Sequence, residues 1–163
     1  MHADLERCVR SLKHALATIS PADADRSKDG KWSIAQVLEH LDLTYTKSTA
    51  GLARRIPKGP LPPRRRNAYQ TVARFVVITV GHFPSGRRAP ESVVPQGRAF
   101  ADVAPGLEGH LIELDQKLSE AERIFGATLP ILDHPVIGPF SVNDWRRFHW
   151  VHTRHHMKQL TGP

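Results

Sequence analysis

The sequence of 163 residues contains a single cysteine, Cys8. One thiol cannot form a disulfide within the chain, and it cannot supply the paired cysteines of a zinc ribbon. Any metal centre in this protein must therefore use histidine, aspartate or glutamate ligands. Cys8 lies among apolar residues that recur at helical spacing, so we expect it to serve as a small apolar residue of the first helix.

Long hydrophobic runs are also missing, because no stretch contains about 18 consecutive apolar residues, the length that a membrane-spanning helix needs. The first residues lack the basic and then apolar pattern of a secretion signal. We therefore expect a cytoplasmic protein with no membrane partner. The apolar content of 40% and the charged content of 24% are ordinary for a soluble protein, and the length suits one domain spanning residues 1–163.

Acidic residues are nearly absent from residues 54–98, where ten Lys and Arg stand against one acid, Glu91. The segment thus holds more positive charge than the whole chain, whose formal net charge is +7. Such a patch could attract nucleic acid, an anionic membrane or an acidic substrate. Because no aromatic residue that could stack on bases stands within the arginine clusters at 54–55, 64–66 and 87–88, we favour a solvated basic face and do not expect a nucleic-acid partner.

Apolar positions that recur at steps of three and four predict four long helices. Two of them carry a sequence signature for their first residue. Ser33 followed by Gln36, and Ser141 followed by Asp144, have the spacing of capping boxes. The predicted helices are residues 3–19, 33–56, 106–125 and 141–160.

The connections between these helices differ in character. Four prolines make residues 57–63 an extended segment. Residues 67–81 are rich in β-branched side chains, so helix and strand are both arguable, and we favour a short helix. Residues 82–105 are irregular, and a connection this long usually wraps or covers something. With residues 127–140 read as a loop, the predicted fold is all-α, with four long helices and one extra short helix.

Four of the ten histidines lie in the last predicted helix, and three of these, His149, His152 and His156, share one stripe of it. His152 and His156 are four residues apart, so they can offer two ring nitrogens to a single cation. A third ligand must come from elsewhere, and His40 is the other histidine well inside a strongly patterned helix. A pair of partly buried, hydrogen-bonded imidazoles remains the alternative.

Three stretches of sequence together resemble the DinB/YfiT-like superfamily, and more narrowly its DinB-related branch of proteins of unknown function. Their order and separation carry the resemblance, which covers residues 3–160. It implies a four-helix bundle with one long crossover connection and a mononuclear metal site. The stretches are Lys31 to Leu41, His134 to Phe140 and Trp145 to Leu160.

Carried over position by position, the resemblance implies that the metal ligands are His40, His152 and His156. Gln159 matches a glutamine that commonly follows the ligands. Some members of the superfamily are metal-dependent transferases that join a low-molecular-weight thiol to an electrophile, so the implied partners are a small-molecule substrate and such a thiol. The expected divalent ion is Zn or Ni, with Fe, Mn or Cu as alternatives, and a homodimer is usual for the superfamily.

Three readings of function follow from these expectations. The first is a thiol transferase that works at a three-histidine metal site, in which no further catalytic residue is assigned. The second is a metal-containing binding module without catalytic activity, and the third is an anion or nucleic-acid binder that uses residues 54–98.

The neighbours of the expected ligands are assigned from helix geometry. Glu39 points about 100° away from His40 on the same helix, so we expect it to be a surface charge. His134 precedes Pro135, and we expect it to fix a loop by hydrogen bonding rather than to bind a metal. The candidates for contacting the ligand imidazoles or a substrate are Gln159, His149 and His155.

Overall fold

The computed structural model describes residues 1–27, 30–84, 86 and 88–161, without the side chain of Thr161. Most of this part of the chain is helical, as predicted. The helices are α1 (Ala3–Thr18), α2 (Pro21–Ala24), α3 (Ile34–Arg55), α4 (Ala68–Arg74, continued by π-helical turns over Phe75–Val80), α5 (Phe100–Val103), α6 (Leu107–Phe125) and α7 (Val142–Thr161). Single 3-10 turns occupy Ile56–Lys58, Glu91–Val93 and Ala104–Gly106.

The predicted helix starts are confirmed by their hydrogen bonds. At the start of α3, the Ser33 hydroxyl accepts from the Gln36 backbone N–H at 3.1 Å, and the Gln36 side chain accepts from the Ser33 N–H at 2.9 Å. Ser141 and Asp144 form the same reciprocal pair at the start of α7. Each cap satisfies N–H groups that lack a partner inside the helix and contributes about 1 kcal/mol.

The long helices α1, α3, α6 and α7 surround one apolar core. α1 packs against α7 and α6, and α3 packs against α6 and α7. The buried side chains come from the helical stripes read in the sequence, because residues three and four apart share a face. They include Leu5, Leu12, Leu38, Leu41, Leu52, Leu111, Leu114 and Leu118. The described residues thus form a helical bundle, while its assignment to the DinB type stays a prediction.

The expectation of an all-α fold is wrong for residues 127–140, which were read as a loop. This segment contains an antiparallel hairpin of β1 (Pro130–His134) and β2 (Gly138–Ser141). Pro130 and Pro139 argue against strands in the sequence. In a sheet of two strands, however, each strand is an edge strand, and proline is tolerated there. The hairpin buries Ile131 and Phe140 against the bundle.

The long connections are ordered by contacts that the sequence pattern does not reveal. The proline-rich segment runs beside the hairpin, where the Leu61 N–H donates to the Pro130 carbonyl at 2.8 Å. The predicted short helix within residues 67–81 is confirmed as α4 with its π-helical continuation, which ends at Gly81 in a left-handed conformation. Among the described residues, no helix is long and apolar enough to span a membrane.

Candidate metal centre

Three histidines from two helices converge beside the core. His40 comes from α3, and His152 and His156 come from α7. The Nε2 atom of His152 lies 3.1 Å from Nε2 of His40 and 3.0 Å from Nε2 of His156. Each residue offers one ligand atom, and these atoms lie within 4.8 Å of one another. All three side chains are buried, so the histidines singled out in the sequence form a cluster that could hold a metal ion.

Hydrogen bonds on the far side of two rings fix where their lone pairs point. Nδ1 of His40 lies 2.7 Å from the Val93 carbonyl oxygen. A carbonyl only accepts, so this Nδ1 carries the hydrogen and the Nε2 lone pair of neutral His40 faces the cluster. Nδ1 of His156 lies 2.8 Å from Oε1 of Gln159 and donates in the same way. The prediction that Gln159 contacts a ligand imidazole is therefore confirmed.

Geometry and donor chemistry both fit a bound cation. Ligand nitrogens 2.0–2.1 Å from a tetrahedral zinc ion lie ~3.4 Å apart, close to the distances in this cluster. The Nε2 lone pairs of His40 and His156 both face Nε2 of His152. A single hydrogen on that nitrogen cannot fully satisfy both lone pairs, whereas a cation can bind all three nitrogens. Nδ1 of His152 is buried and has no hydrogen-bond partner among the described residues. Two of the three imidazoles thus have the orienting partner usual for metal ligands.

The surroundings of the three imidazoles lower their pKa values and so favour their uncharged form. Burial lowers the pKa of His156 to about 3, with a further contribution from His40. Burial and the neighbouring imidazoles hold the pKa of His152 well below its ordinary value, and burial also lowers the pKa of His40. All three rings are consequently neutral at pH 7. The neutral imidazole is the form that binds metal, so protons do not compete for the site.

Aromatic side chains wall the cluster. Phe148 stacks on His152 with ring centroids 5.2 Å apart and an angle of 13° between the ring planes. Phe83 lies 4.9 Å from the same imidazole, and Trp32 lies 5.2 Å from the His40 ring. Walls of low polarity strengthen electrostatic interactions inside the site.

A cavity of about 1350 Å³ opens beside the cluster, and all three histidines line it. Its walls come from α3, α4, the β1–β2 hairpin, α7 and the 82–105 connection. The volume exceeds the roughly 300–1,000 Å³ of common small-molecule sites. A small molecule can therefore reach the imidazole cluster from this side.

The expectation that Glu39 is a surface charge is wrong. The side chain is 1% exposed, and one carboxylate oxygen accepts from the backbone N–H groups of Gly97 and Arg98 at 2.9 and 3.0 Å. The 82–105 connection folds back over this face of α3, an arrangement that helix periodicity does not encode. By anchoring that connection, Glu39 helps to place the Val93 carbonyl against His40.

His149, which shares the stripe of the ligands in sequence, stands apart from the site. It is fully buried beside Tyr45, Trp145 and Phe148, and neither ring nitrogen has a hydrogen-bond partner among the described residues. Burial, with a contribution from His134, lowers its pKa to about 3. His149 does not line the cavity, so we assign it to the core.

His134 and His155 take the positions that the sequence suggested. Nδ1 of His134 accepts from the backbone N–H groups of Val136 and Ile137, both at 3.2 Å, which confirms its role in fixing the hairpin turn. His155 lines the cavity at the edge of the cluster, where its Nε2 lies 3.1 Å from the Gln159 amide nitrogen. Neither residue belongs to the group of three that could hold a metal.

The basic segment 54–98 is partly neutralised within the protein. Arg74 forms two hydrogen bonds with the buried carboxylate of Asp144, and Arg66 lies 3.7 Å from the same group. Arg64 pairs with Asp133, and Arg98 pairs with Asp42. The expected solvated face therefore includes several arginines that fasten the connections to the bundle.

Sequence reasoning missed three contributors to the site, Trp32, Phe83 and Val93. A lone aromatic residue or a backbone carbonyl has no spacing signal. Trp32 lies just before the α3 cap, and that position does not indicate that its ring lies beside His40.

A family model described as "Protein of unknown function (DUF1569)" matches residues 4–162. Neither a curated protein nor a solved structure matches the chain.

Proposed function

The chain belongs to the DUF1569 family of proteins of unknown function, and we propose that it is a metal-dependent enzyme with a divalent ion held by His40, His152 and His156. The observation that carries this proposal is the convergence of three buried Nε2 atoms, with two of their lone pairs turned inward by the Val93 carbonyl and the Gln159 amide. Three neutral ligands leave a cation its full charge and an open coordination position, which is typical of catalytic sites.

We propose the transfer of a low-molecular-weight thiol to an electrophile as the reaction. A divalent ion in such a site lowers the pKa of a coordinated thiol toward neutrality. The chain itself contributes the cavity that admits both reactants, and Phe83, Phe148 and Trp32 exclude water around the imidazoles. The thiol loses its proton to solvent, its sulfur bonds to the electrophilic carbon, and the electron pair of the broken bond leaves with the departing group. The resemblance to DinB/YfiT-like transferases supports this choice of reaction.

A second candidate is a metal-containing binding module without catalytic activity. Apolar side chains on α4 and its π-helical continuation favour it, since Phe75 and Val80 are 57% and 59% exposed and do not line the cavity. Such side chains favour an interaction surface where they form a contiguous apolar patch larger than roughly a few hundred Å². The large cavity beside the histidines favours the enzyme.

Elemental analysis of the purified protein tests the proposal. We expect about one divalent ion per chain, and its loss in His40→Ala and in His156→Ala. His14→Ala is the matched control, because His14 is exposed on α1 and should leave the metal content unchanged. Protein that carries no ion and takes none up from solution would overturn the proposal. If the ion binds, thiols can be screened against epoxides and alkyl halides.

A further inference from the structure

Large exposed apolar side chains gather around the mouth of the cavity. Trp32, Tyr69, Val72, Val94 and Val136 are 39–63% exposed, and all of them line it. They come from four separate parts of the chain, so no single amphipathic helix accounts for them. Apolar surface grouped around a concave site is typical of a pocket whose ligand has an apolar body.

One stripe of α3 runs from the histidine cluster along this cavity. At 100° per residue, His40, Thr44, Lys47, Gly51 and Arg54 fall within about 80° of arc, and all of them line the cavity. With a rise of 1.5 Å per residue, Lys47 is ~10 Å and Arg54 ~21 Å along the helix axis from His40. Two of the five described Lys and Arg residues that line the cavity therefore lie on this stripe, at increasing distance from the imidazoles, and the other three are Lys31, Arg88 and Lys158.

The hairpin closes over this stripe. A Cβ at Gly51 would lie 2.9 Å from a methyl group of Leu132, so the glycine lets this side chain of β1 pack directly on α3. Leu132 also lines the cavity. The stripe thus forms one wall of an elongated channel, with an apolar side chain opposite the helix between Lys47 and Arg54.

Within the described residues, no acidic group neutralises the two cations of the stripe, both of which are exposed. In the described part of the chain, neither Lys47 nor Arg54 has a hydrogen bond or ion pair of its side chain. The one carboxylate among the described lining residues, Asp133, is paired with Arg64. This contrasts with Arg74, which is held by the carboxylate of Asp144. Unpaired cations beside an apolar channel favour an anionic group on whatever occupies it.

We infer that the cavity binds an amphipathic anion, whose apolar body lies along the channel and whose acidic group contacts Lys47 and Arg54. The other end of the molecule then reaches the cluster of His40, His152 and His156. The inference rests on the proposed function for one point, since it makes this anion the electrophilic acceptor of the thiol. Binding itself needs only the channel and the two cations.

Decanoate and decan-1-ol are the probes, because they share an apolar body and differ in the charge of the head group. Both are titrated below the aggregation limit of decanoate by calorimetry and by tryptophan fluorescence, since Trp32 and Trp145 line the cavity. We expect decanoate to bind at least about tenfold more tightly than decanol. The double variant Lys47→Gln/Arg54→Gln should lose this preference and keep the affinity for decanol.

The matched control is the double variant Arg10→Gln/Arg123→Gln, which removes two exposed cations that do not line the cavity. It should keep the preference for decanoate. The inference is overturned if wild-type protein binds both probes equally or binds neither, or if the preference survives in Lys47→Gln/Arg54→Gln.

Titrations of the protein as purified and after dialysis against a chelator separate this inference from the proposed function. A preference for decanoate that persists without metal supports the two cations as its source. If the preference disappears with the metal, the carboxylate of decanoate binds the ion rather than the two cations, and the inference is overturned. If the protein holds no metal yet distinguishes the two probes, the proposed enzyme fails and the ligand site stands.

Discussion

Two neighbouring residues of α3, Glu39 and His40, are both buried but face different parts of the protein. His40 directs its Nε2 atom at His152 of α7, whereas the Glu39 carboxylate accepts from the backbone of the 82–105 connection. The two contacts serve one site, because the same connection supplies the Val93 carbonyl that orients His40. α3 thus contributes both an imidazole of the cluster and the carboxylate that anchors the connection beside it.

The two sides differ in what they contribute to stability. On the histidine side, lone pairs of His40 and His156 converge on His152, which costs free energy until a cation is bound. On the acidic side, the charge of Glu39 is satisfied by two backbone donors within the protein. We therefore expect the histidine side to serve binding and the acidic side to serve folding.

Removal of an imidazole of the cluster should have the largest effect on the histidine side, and the effect should be on metal affinity. His152→Ala leaves two imidazoles, and we expect at least about a hundredfold loss of affinity for a divalent ion, since even a lost orienting partner costs 10–100-fold. Competition with a metal-binding indicator measures the affinity. His14→Ala, on an exposed face of α1, should bind as the wild type does. Equal affinity in His152→Ala would exclude His152 as a ligand.

Acid should act on the buried histidines of the core and the site before it acts on carboxylates. Burial lowers the pKa of His149 and His156 to about 3 and that of His134 to about 4, against about 6.5 in an unfolded chain. The unfolded state therefore binds more protons, so stability is full above pH 6.5 and falls as the pH drops toward these values. Each imidazole should cost about 1.4 kcal/mol per pH unit in metal-free protein.

Urea unfolding of metal-free protein between pH 7 and pH 5 measures this slope. His149→Phe removes one titrating group from the core and should flatten the slope by about one proton. His14→Gln, which changes an exposed histidine, is the control. A stability that does not change over this range would contradict the prediction, because it would show that the buried rings bind protons as readily as they do in the unfolded chain.

A smaller loss should follow from changes on the acidic side. Glu39→Ala leaves the N–H groups of Gly97 and Arg98 without their acceptor, and we expect a loss of about 1–3 kcal/mol in the free energy of unfolding. Urea denaturation measures it, with Glu6→Ala on the exposed face of α1 as the control. Glu39→Gln keeps an acceptor oxygen and should lose less. Equal stability of Glu39→Ala and wild type would contradict the anchoring role.

The helical part of the fold could be read from the sequence because its signals are local. Capping boxes at Ser33 and Ser141 and apolar steps of three and four place the long helices correctly. The hairpin was missed because Pro130 and Pro139 suggested a loop. Strand pairing depends on contacts between segments, and proline excludes a residue only from the interior of a sheet.

The residues of the site divide in the same way, into those with a local sequence signal and those placed by contacts between segments. Spacing pairs His152 with His156, which are related by one helical turn, whereas His40 follows from its place in another patterned helix together with the resemblance to DinB/YfiT-like proteins. The burial of Glu39 was predicted wrongly, because its partners are backbone groups of an irregular segment. Irregular backbone has no periodicity, and the side chains that it covers look exposed in the pattern of their own helix.

Gln159 offers the finest test of the histidine side, because it touches a ligand without belonging to the core. Gln159→Leu removes the acceptor of the His156 Nδ1 hydrogen, and we expect about tenfold weaker metal binding. Gln159→Glu keeps an acceptor and should retain the wild-type affinity. The side chain is exposed, so the unfolding midpoint of metal-free protein should not change. Equal losses in both variants would assign the effect to packing rather than to the orientation of His156.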